Sequence, residues 1–372
     1  SCDSRNLFAD LQIASDPSFE EHLNKYPVIY LDMTDFTTPG NDKDIVRHIE
    51  QELLTDISSA FPDIPVEQGS TVMKYLLRVV SHTQTPFIFI IDEWDTICRE
   101  NLPGSTVMDE YVGWLRRMFK SVQAVEAFAG VYMTGILPIK KYKTQSAMNN
   151  FLEYSMVEPR KMASFFGFTR EEVQALAKKH GMDFDELEKW YDGYQIGPQP
   201  SMFNPNSVMI ALKQHWCESY WGKTGATNAV TDYISMNYEG LKDDILRMLA
   251  GDRCYVEPIG FKNDLSQINN RDDVLTVLIH LGYLSYDRRE KECYVPNMEV
   301  GEELKNAVRE TGWTKVARAL EQSRQLLQAT IDGDSATVAR MVEDVHQENT
   351  SIVKYNNENS MACVLAIAYY YA

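Results

Sequence analysis

The run Phe87-Ile88-Phe89-Ile90-Ile91-Asp92-Glu93-Trp94-Asp95 constrains this chain more than any other stretch. An unbroken apolar run after Pro86 predicts a strand buried on both faces, as in a parallel sheet. It ends abruptly in Asp92, Glu93 and Asp95. Acid therefore sits at the carboxyl tip of the strand, where open α/β sheets bind ligands. Two adjacent acids at such a tip suit phosphoryl transfer to water: the first holds Mg²⁺ and the second orients the attacking water. Asp92 is thus the candidate metal ligand, and Glu93 with Asp92 the candidate catalytic pair.

Such chemistry also needs a Gly-rich loop that cradles phosphates, G-x-x-x-x-G-K-[ST], between a strand and a helix. The chain contains no full match. Gly222-Lys223-Thr224 supplies the last three residues, but Cys217 stands where the first glycine should be. The preceding stretch, Ser207 to Trp221, also has helical rather than strand periodicity.

Composition narrows the class. Hydrophobic residues make up 44% and charged residues 24% of 372 residues. No apolar stretch approaches the ~18 residues of a membrane span. Nor does the start have the pattern of a signal peptide. Cys2, Cys98, Cys217, Cys254, Cys293 and Cys363 are scattered without a C-x-x-C pair, so neither a zinc site nor a disulfide framework is indicated. A reducing cytoplasm is the expected compartment. The net charge of −18 argues against a surface that grips nucleic acid everywhere. Any such contact would be a local basic patch. His48, His180, His280 and His346 are dispersed and suggest no metal cluster. Ser1 is not methionine, and Met361 to Ala372 is an apolar helical run without a C-cap signal, which together read as a fragment cut at both ends.

Along the chain, residues 27 to 33 form a first strand ending at Asp32, and Phe128 to Thr134 a third. Between them, Ile45, Ile49, Leu53 and Ile57 recur every fourth position and predict an amphipathic helix capped by Asn41 or Asp42. Further helices are expected at about 69 to 82 and 106 to 123. Alternating strands and helices give right-handed βαβ units and a parallel sheet with all three strand ends on one edge. From about 158 to 250 the pattern is helical, with an S/T-x-x-E capping box at Thr169-Arg-Glu-Glu172. Between 272 and 297 a helix is followed by a hairpin with a charged tip. That reads either as a winged helix or as a hairpin covering a helical domain. Two amphipathic helices are expected from 313 to 347.

Several blocks, in order, carry a resemblance: Tyr26-Pro-Val-Ile-Tyr-Leu-Asp32, Ile91-Asp-Glu-Trp-Asp95, Thr134-Gly-Ile-Leu-Pro138, Phe165-Phe-Gly-Phe-Thr169, Trp190-Tyr-Asp-Gly-Tyr194, Phe203-Asn-Pro205, Tyr220-Trp-Gly-Lys-Thr-Gly225 and Tyr355-Asn-Asn-Glu-Asn-Ser360. Together they resemble the bacterial AAA-ATPase-like family, in which an ATPase module precedes a PD-(D/E)XK nuclease-like domain. The resemblance implies an α/β, parallel-sheet ATPase-like domain over 1–157, an all-helical or winged-helix-like region over 158–312, and the start of a restriction-endonuclease-like domain over 313–372. It places the phosphate loop just upstream of Ser1 and the nuclease acids downstream of Ala372. ATP and Mg²⁺ are the implied cofactors, and nucleic acid the implied partner of the C-terminal domain.

On this resemblance Asp92 binds Mg²⁺ through water and Glu93 orients the hydrolytic water. Thr134 stands where such folds place a polar sensor for the γ-phosphate, though a threonine ending a strand is ordinary. Asp95 is a second candidate at the nucleotide, or else caps the following turn or orients Trp94. Arg160, with Lys161, is a candidate to reach a nucleotide from the next module, or an exposed pair after a proline. Glu358 is a candidate acid of the nuclease fold, or a helix-dipole partner. Trp190-Tyr-Asp-Gly-Tyr194 reads as structural. The alternative to an ATPase coupled to a nuclease is a non-catalytic, nucleotide-dependent switch or assembly scaffold.

Overall fold

Strand alternation governs the first sheet. A computed structural model of the chain describes residues 3–37, 44–100, 106–137, 148, 150–221, 227–258, 268–310, 314–350, 365 and 369. Two compact units divide it, the first running from Ser1 to Glu153 and the second starting at Tyr154. In the first, β1 (Val28–Asp32), β2 (Phe87–Asp92) and β3 (Phe128–Met133) pair in parallel in the order β1-β2-β3. Asp32 stands opposite Asp92, and Ile91 opposite Met133, so the three strands end on one edge.

The longer helices of this unit, with the short one that follows β2, are α1 (Ile45–Ala60), α2 (Val72–Thr83), α3 (Thr96–Glu100) and α4 (Thr106–Phe119). Every apolar position expected on α1, Ile45, Ile49, Leu53 and Ile57, is buried. The cap expected from Asn41 or Asp42 lies outside the described residues. The Thr71 hydroxyl caps α2 by accepting the Lys74 amide at 3.4 Å. Tyr75, Leu76, Tyr111, Trp114 and Leu115 complete the core against Phe87, Phe89 and Ile91. Each such side chain contributes about 1.5–3 kcal/mol by leaving water.

The expectation that β2 is buried on both faces needs correction. Phe87, Phe89 and Ile91 are buried, whereas Ile88 and Ile90 are only half-buried. Beside them Val28, Tyr30 and Tyr132 are 59%, 57% and 57% exposed. Among the described residues, the helices cover the face bearing Ile29, Leu31, Phe89 and Ile91, and Val28, Tyr30 and Tyr132 stand exposed on the other. Composition of a single strand cannot report this, because which face is covered is set by where the helices pack.

The second unit opens with β4 (Phe168–Thr169), α5 (Arg170–His180), α6 (Phe184–Tyr191), β5 (Tyr194–Ile196), β6 (Gln199–Phe203) and α7 (Pro205–Gln214). The capping box forms: Thr169 Oγ1 accepts the Glu172 amide at 3.3 Å and the Glu172 carboxylate accepts the Thr169 amide at 2.8 Å. The stretch read as purely helical contains an antiparallel sheet, β4-β6-β5. These strands are too short to display period-2 patterning, and turn residues interrupt them. Gly193, at φ +101°, has the Pro296 carbonyl oxygen 1.9 Å from where a Cβ would sit, so only glycine fits there.

Then follow α8 (Thr227–Ser235), α9 (Leu241–Leu249), β7 (Cys254–Tyr255), α10 (Arg271–His280), β8 (Ser285–Asp287), β9 (Glu292–Tyr294), α11 (Met298–Glu310), α12 (Thr314–Ile331) and α13 (Ser335–Thr350). The helix and hairpin expected between 272 and 297 are α10 and β8–β9, with β7 completing an antiparallel sheet. Ion pairs engage much of the hairpin's positive charge: Lys291 with Glu257 at 2.6 Å, Arg288 with Glu158 at 3.3 Å. Among the described residues no helix is long and apolar enough to cross a membrane.

Two buried ionisable groups set opposite pH dependences. Burial on α10 lowers the His280 pKa to about 4. The unfolded chain therefore takes up the proton first, near 6.5, and stability is lost as pH falls from there toward 4, by on the order of 3 kcal/mol. Glu299 is fully buried on α11, its Oε1 accepting from Ser207 Oγ at 2.8 Å and from the Tyr220 and Trp221 amides at 2.8 and 3.1 Å. Burial outweighs these bonds and raises its pKa, so stability is lost as pH rises above the usual carboxylate range. Urea unfolding of the His280→Leu protein should show a shallower fall in stability between pH 6.5 and 4.5 than the parent, and equal slopes would refute the assignment. Conversely, the stability of Glu299→Gln relative to the parent should improve from pH 4 to 7, and a constant difference would remove Glu299 as the source.

Candidate functional site

The site forms at the carboxyl edge of the parallel sheet. Because side chains alternate along a strand, Tyr30, Asp32, Ile88, Ile90 and Asp92 share the open face. Tyr30 Oη donates to Asp92 Oδ2 at 2.8 Å, the Glu93 amide donates to Oδ1 at 3.1 Å, and Thr134 Oγ1 also donates to Oδ1. These bonds, first from Thr134 and then from Tyr30, hold the Asp92 carboxyl below the usual aspartate range against the opposing effect of burial. Asp92 is therefore a carboxylate at neutral pH. The same bond to Asp92 raises the Tyr30 pKa and keeps the phenol a donor.

Thr134 is fixed by its backbone. Its amide donates to the Ile91 carbonyl and its carbonyl accepts the Trp94 amide, each at 2.9 Å. Below it, Trp94 Nε1 donates to the Leu137 carbonyl at 3.0 Å. Asp95 is wholly buried and accepts the Ile136 amide on Oδ1 at 3.2 Å and the Leu137 amide on Oδ2 at 3.0 Å. A Cβ on Gly135 would lie 2.5 Å from both Asp95 Oδ1 and Trp94 Cδ1. Trp94 and Asp95 thus clasp the turn after β3, and through it set the position of Thr134.

Glu93 occupies the left-handed region at φ +50°. That conformation is unusual for a residue with a long side chain and costs about 1–3 kcal/mol. It turns the Glu93 side chain to Arg99, whose guanidinium pairs with its carboxylate. Arg99 also reaches Asp95 Oδ2 through Nε at 3.2 Å and Thr96 Oγ1 at 3.1 Å.

The structure thus brings Asp92, Glu93, Thr134 and Asp95 together at one edge. Asp95 is wholly buried and engaged by backbone amides and Arg99 inside the clasp. Arg160 belongs to the second unit, at φ +47°, and pairs with Glu158 at 3.2 Å. Glu358, Lys223 and Thr224 lie outside the described residues. The helix expected over Ser207 to Trp221 is present only as far as Gln214, as α7, with His215 in the left-handed region as its cap and residues 216–220 irregular.

Tyr30 and Arg99 were not singled out by sequence. Both had a signal: Tyr30 lies two residues before Asp32, hence on the same sheet face, and Arg99 stands four residues after Asp95, the spacing of a helical ion pair.

Among the described residues no group of three or more His, Cys, Asp or Glu side chains is set to hold a metal ion. The donors at the edge are nevertheless of the right kind for Mg²⁺. That cation takes oxygen ligands, keeps several waters, and is bound by one or two carboxylates together with substrate phosphates rather than by a protein cage. Asp92 is ionised and oriented, and Asp32 stands beside it, with its Oδ1 engaged by the Thr34 amide and hydroxyl at 2.9 and 2.7 Å.

Comparison with known proteins bears on the fold of the first unit. Residues 2–144 match a family model described as a predicted AAA-ATPase. A protein of Azotobacter chroococcum mcd 1, described as an uncharacterized protein in the vnfD 5'region, is 23% identical over 151 residues. That match takes in 40% of this chain and 29% of the relative, so the chain spans less than a third of the length of the relative it resembles. What these likenesses support is a mixed α/β unit, with a parallel three-stranded sheet, similar to an ATPase module.

Proposed function

We propose that the first unit is the acid-bearing part of an ATP-binding and ATP-hydrolysing module of AAA type. The observation that carries the reading is the Asp92 carboxylate, oriented by Tyr30 and Thr134 at the carboxyl edge of a parallel sheet with Glu93 next in the chain. Bound Mg²⁺ would supply charge neutralisation on the phosphates. Asp92 would hold it through water, Glu93 would orient the attacking water, and Thr134 would face the γ-phosphate while keeping Asp92 aligned. The phosphate-binding loop belongs, on the family resemblance, to sequence upstream of Ser1, and its backbone amides and lysine are what would seat the β- and γ-phosphates. By itself the chain is therefore expected to turn over little or no ATP.

The resemblance extends the proposal to the whole protein. Residues 313–372 would begin a nuclease-like domain in which Glu358 contributes to a metal site, and ATP binding would be coupled to action on nucleic acid. Likeness of sequence blocks is the support for that part.

In a protein extended upstream through the phosphate loop, Glu93→Gln should still bind ATP while hydrolysis falls about 10²-fold or more. Hydrolysis at the parental rate would remove Glu93 from the reaction. Binding without hydrolysis in the parent as well would favour a nucleotide-dependent switch over an enzyme.

A further inference from the structure

We propose that Cys254 and Cys293 are a redox-active pair that closes into a reversible cross-strand disulfide within the second unit. The two lie far apart in sequence, and strand register brings them together: in the antiparallel pairing of β7 with β9, Cys254 stands directly opposite Cys293. Residues so placed project their side chains from the same face of the sheet. Both thiols are free and buried, Cys254 at 4% and Cys293 at 0% exposure. Both pack on α9. Cys254 Sγ lies 3.6 Å from the Asp244 carbonyl oxygen, and Cys293 Sγ lies 3.6 Å from Met248 Sδ, one helical turn further along.

Register also sets the geometry. The Val256 amide donates to the Lys291 carbonyl at 2.9 Å, which makes that pair, and Cys254 with Cys293 two residues along, the hydrogen-bonded kind. Cα atoms of such pairs are about 5.5 Å apart, inside the roughly 4.4–6.8 Å that a disulfide spans. Their Cβ atoms, up to about 5.5 Å apart, are wider than the roughly 3.5–4.5 Å of a relaxed bridge. Closure must therefore draw the strands together, and the resulting bond is the more readily reduced for it. β7 can supply the movement, because it is two residues long and lies at the edge of its sheet.

Cys254, on that edge and the less covered of the two, is the attacking thiol. Burial pushes its pKa up to about 12 and raises that of Cys293 as well, so the reactive thiolates form only as β7 opens. The oxidant is a low-molecular-weight disulfide. The Cys254 thiolate attacks one of its sulfurs, its S–S bond breaks and one thiolate leaves. The Cys293 thiolate then attacks Cys254 Sγ in the mixed disulfide and expels the second thiolate. The cysteine pair loses two electrons and two protons, and the oxidant takes them up as two thiols.

Oxidised glutathione added to the folded chain, followed by acid quenching, alkylation in denaturant and peptide mass spectrometry, tests the pair. The expected product is a peptide pair joined through Cys254 and Cys293 and lighter by two hydrogens, with Cys217, buried in a separate cluster, recovered alkylated. Reduced glutathione in excess should restore both thiols. Cys293→Ser, which keeps the attacking thiol and removes its partner, should stop with glutathione attached at Cys254. The measurement on the parent does not depend on how that variant folds. Recovery of both cysteines alkylated from the oxidised parent, or Cys254 joined chiefly to another cysteine, overturns the pair. A Cys293→Ser protein with Cys254 left free overturns Cys254 as the attacking thiol.

Discussion

The clasp between the end of β2 and the turn after β3 is the constraint on which the site depends. Trp94 Nε1 and both Asp95 oxygens are bonded to the backbone of residues 136 and 137, and Gly135 leaves no gap between them. Loss of one buried partner in such an arrangement strands a polar group at a cost of about 1–3 kcal/mol, which is what makes the geometry hard to vary. Parallel pairing alone would place Asp32 beside Asp92. It would not fix Thr134, which lies one residue beyond β3, nor anchor Arg99 through Asp95. With the clasp in place, the four consecutive residues Asp92 to Asp95 divide their work. Asp92 faces the edge, Glu93 faces Arg99, and Trp94 with Asp95 face inward.

Much of the first unit was legible because its signals are long. The apolar run 87–91 and the four-residue spacing of Ile45, Ile49, Leu53 and Ile57 each extend over enough residues for a period to emerge, and the structure places strand and helix there. The Asp-Glu at the strand tip pointed to the edge for a physical reason, since charge at the end of a buried strand must surface. What stayed hidden depends on pairs rather than periods. The antiparallel sheet β4-β6-β5 is made of strands of five residues or fewer, and β5 of three. Tyr30 joins Asp92 across 62 residues of sequence, and only the strand register reveals it. Burial on one face of β2 rather than both is set by which helices pack where, and the strand itself carries no record of it.

Electrostatics ties the site to the rest of the molecule. A chain with net charge −18 that concentrates acid at a sheet edge offers a favourable field to a cation and an unfavourable one to a bare polyphosphate. A nucleotide bound as proposed above would therefore approach with its metal. In the hairpin β8–β9, Lys291 and Arg288 pair with Glu257 and Glu158.

On the function proposed above, the edge at Asp92 and Glu93 is one half of a split nucleotide site. ATP turnover with Mg²⁺, compared between this chain and the same protein extended by about 40 residues upstream through a phosphate loop, tests it most directly. Turnover confined to the extended protein is the predicted result. Turnover at equal rates in both, or in neither, would contradict it.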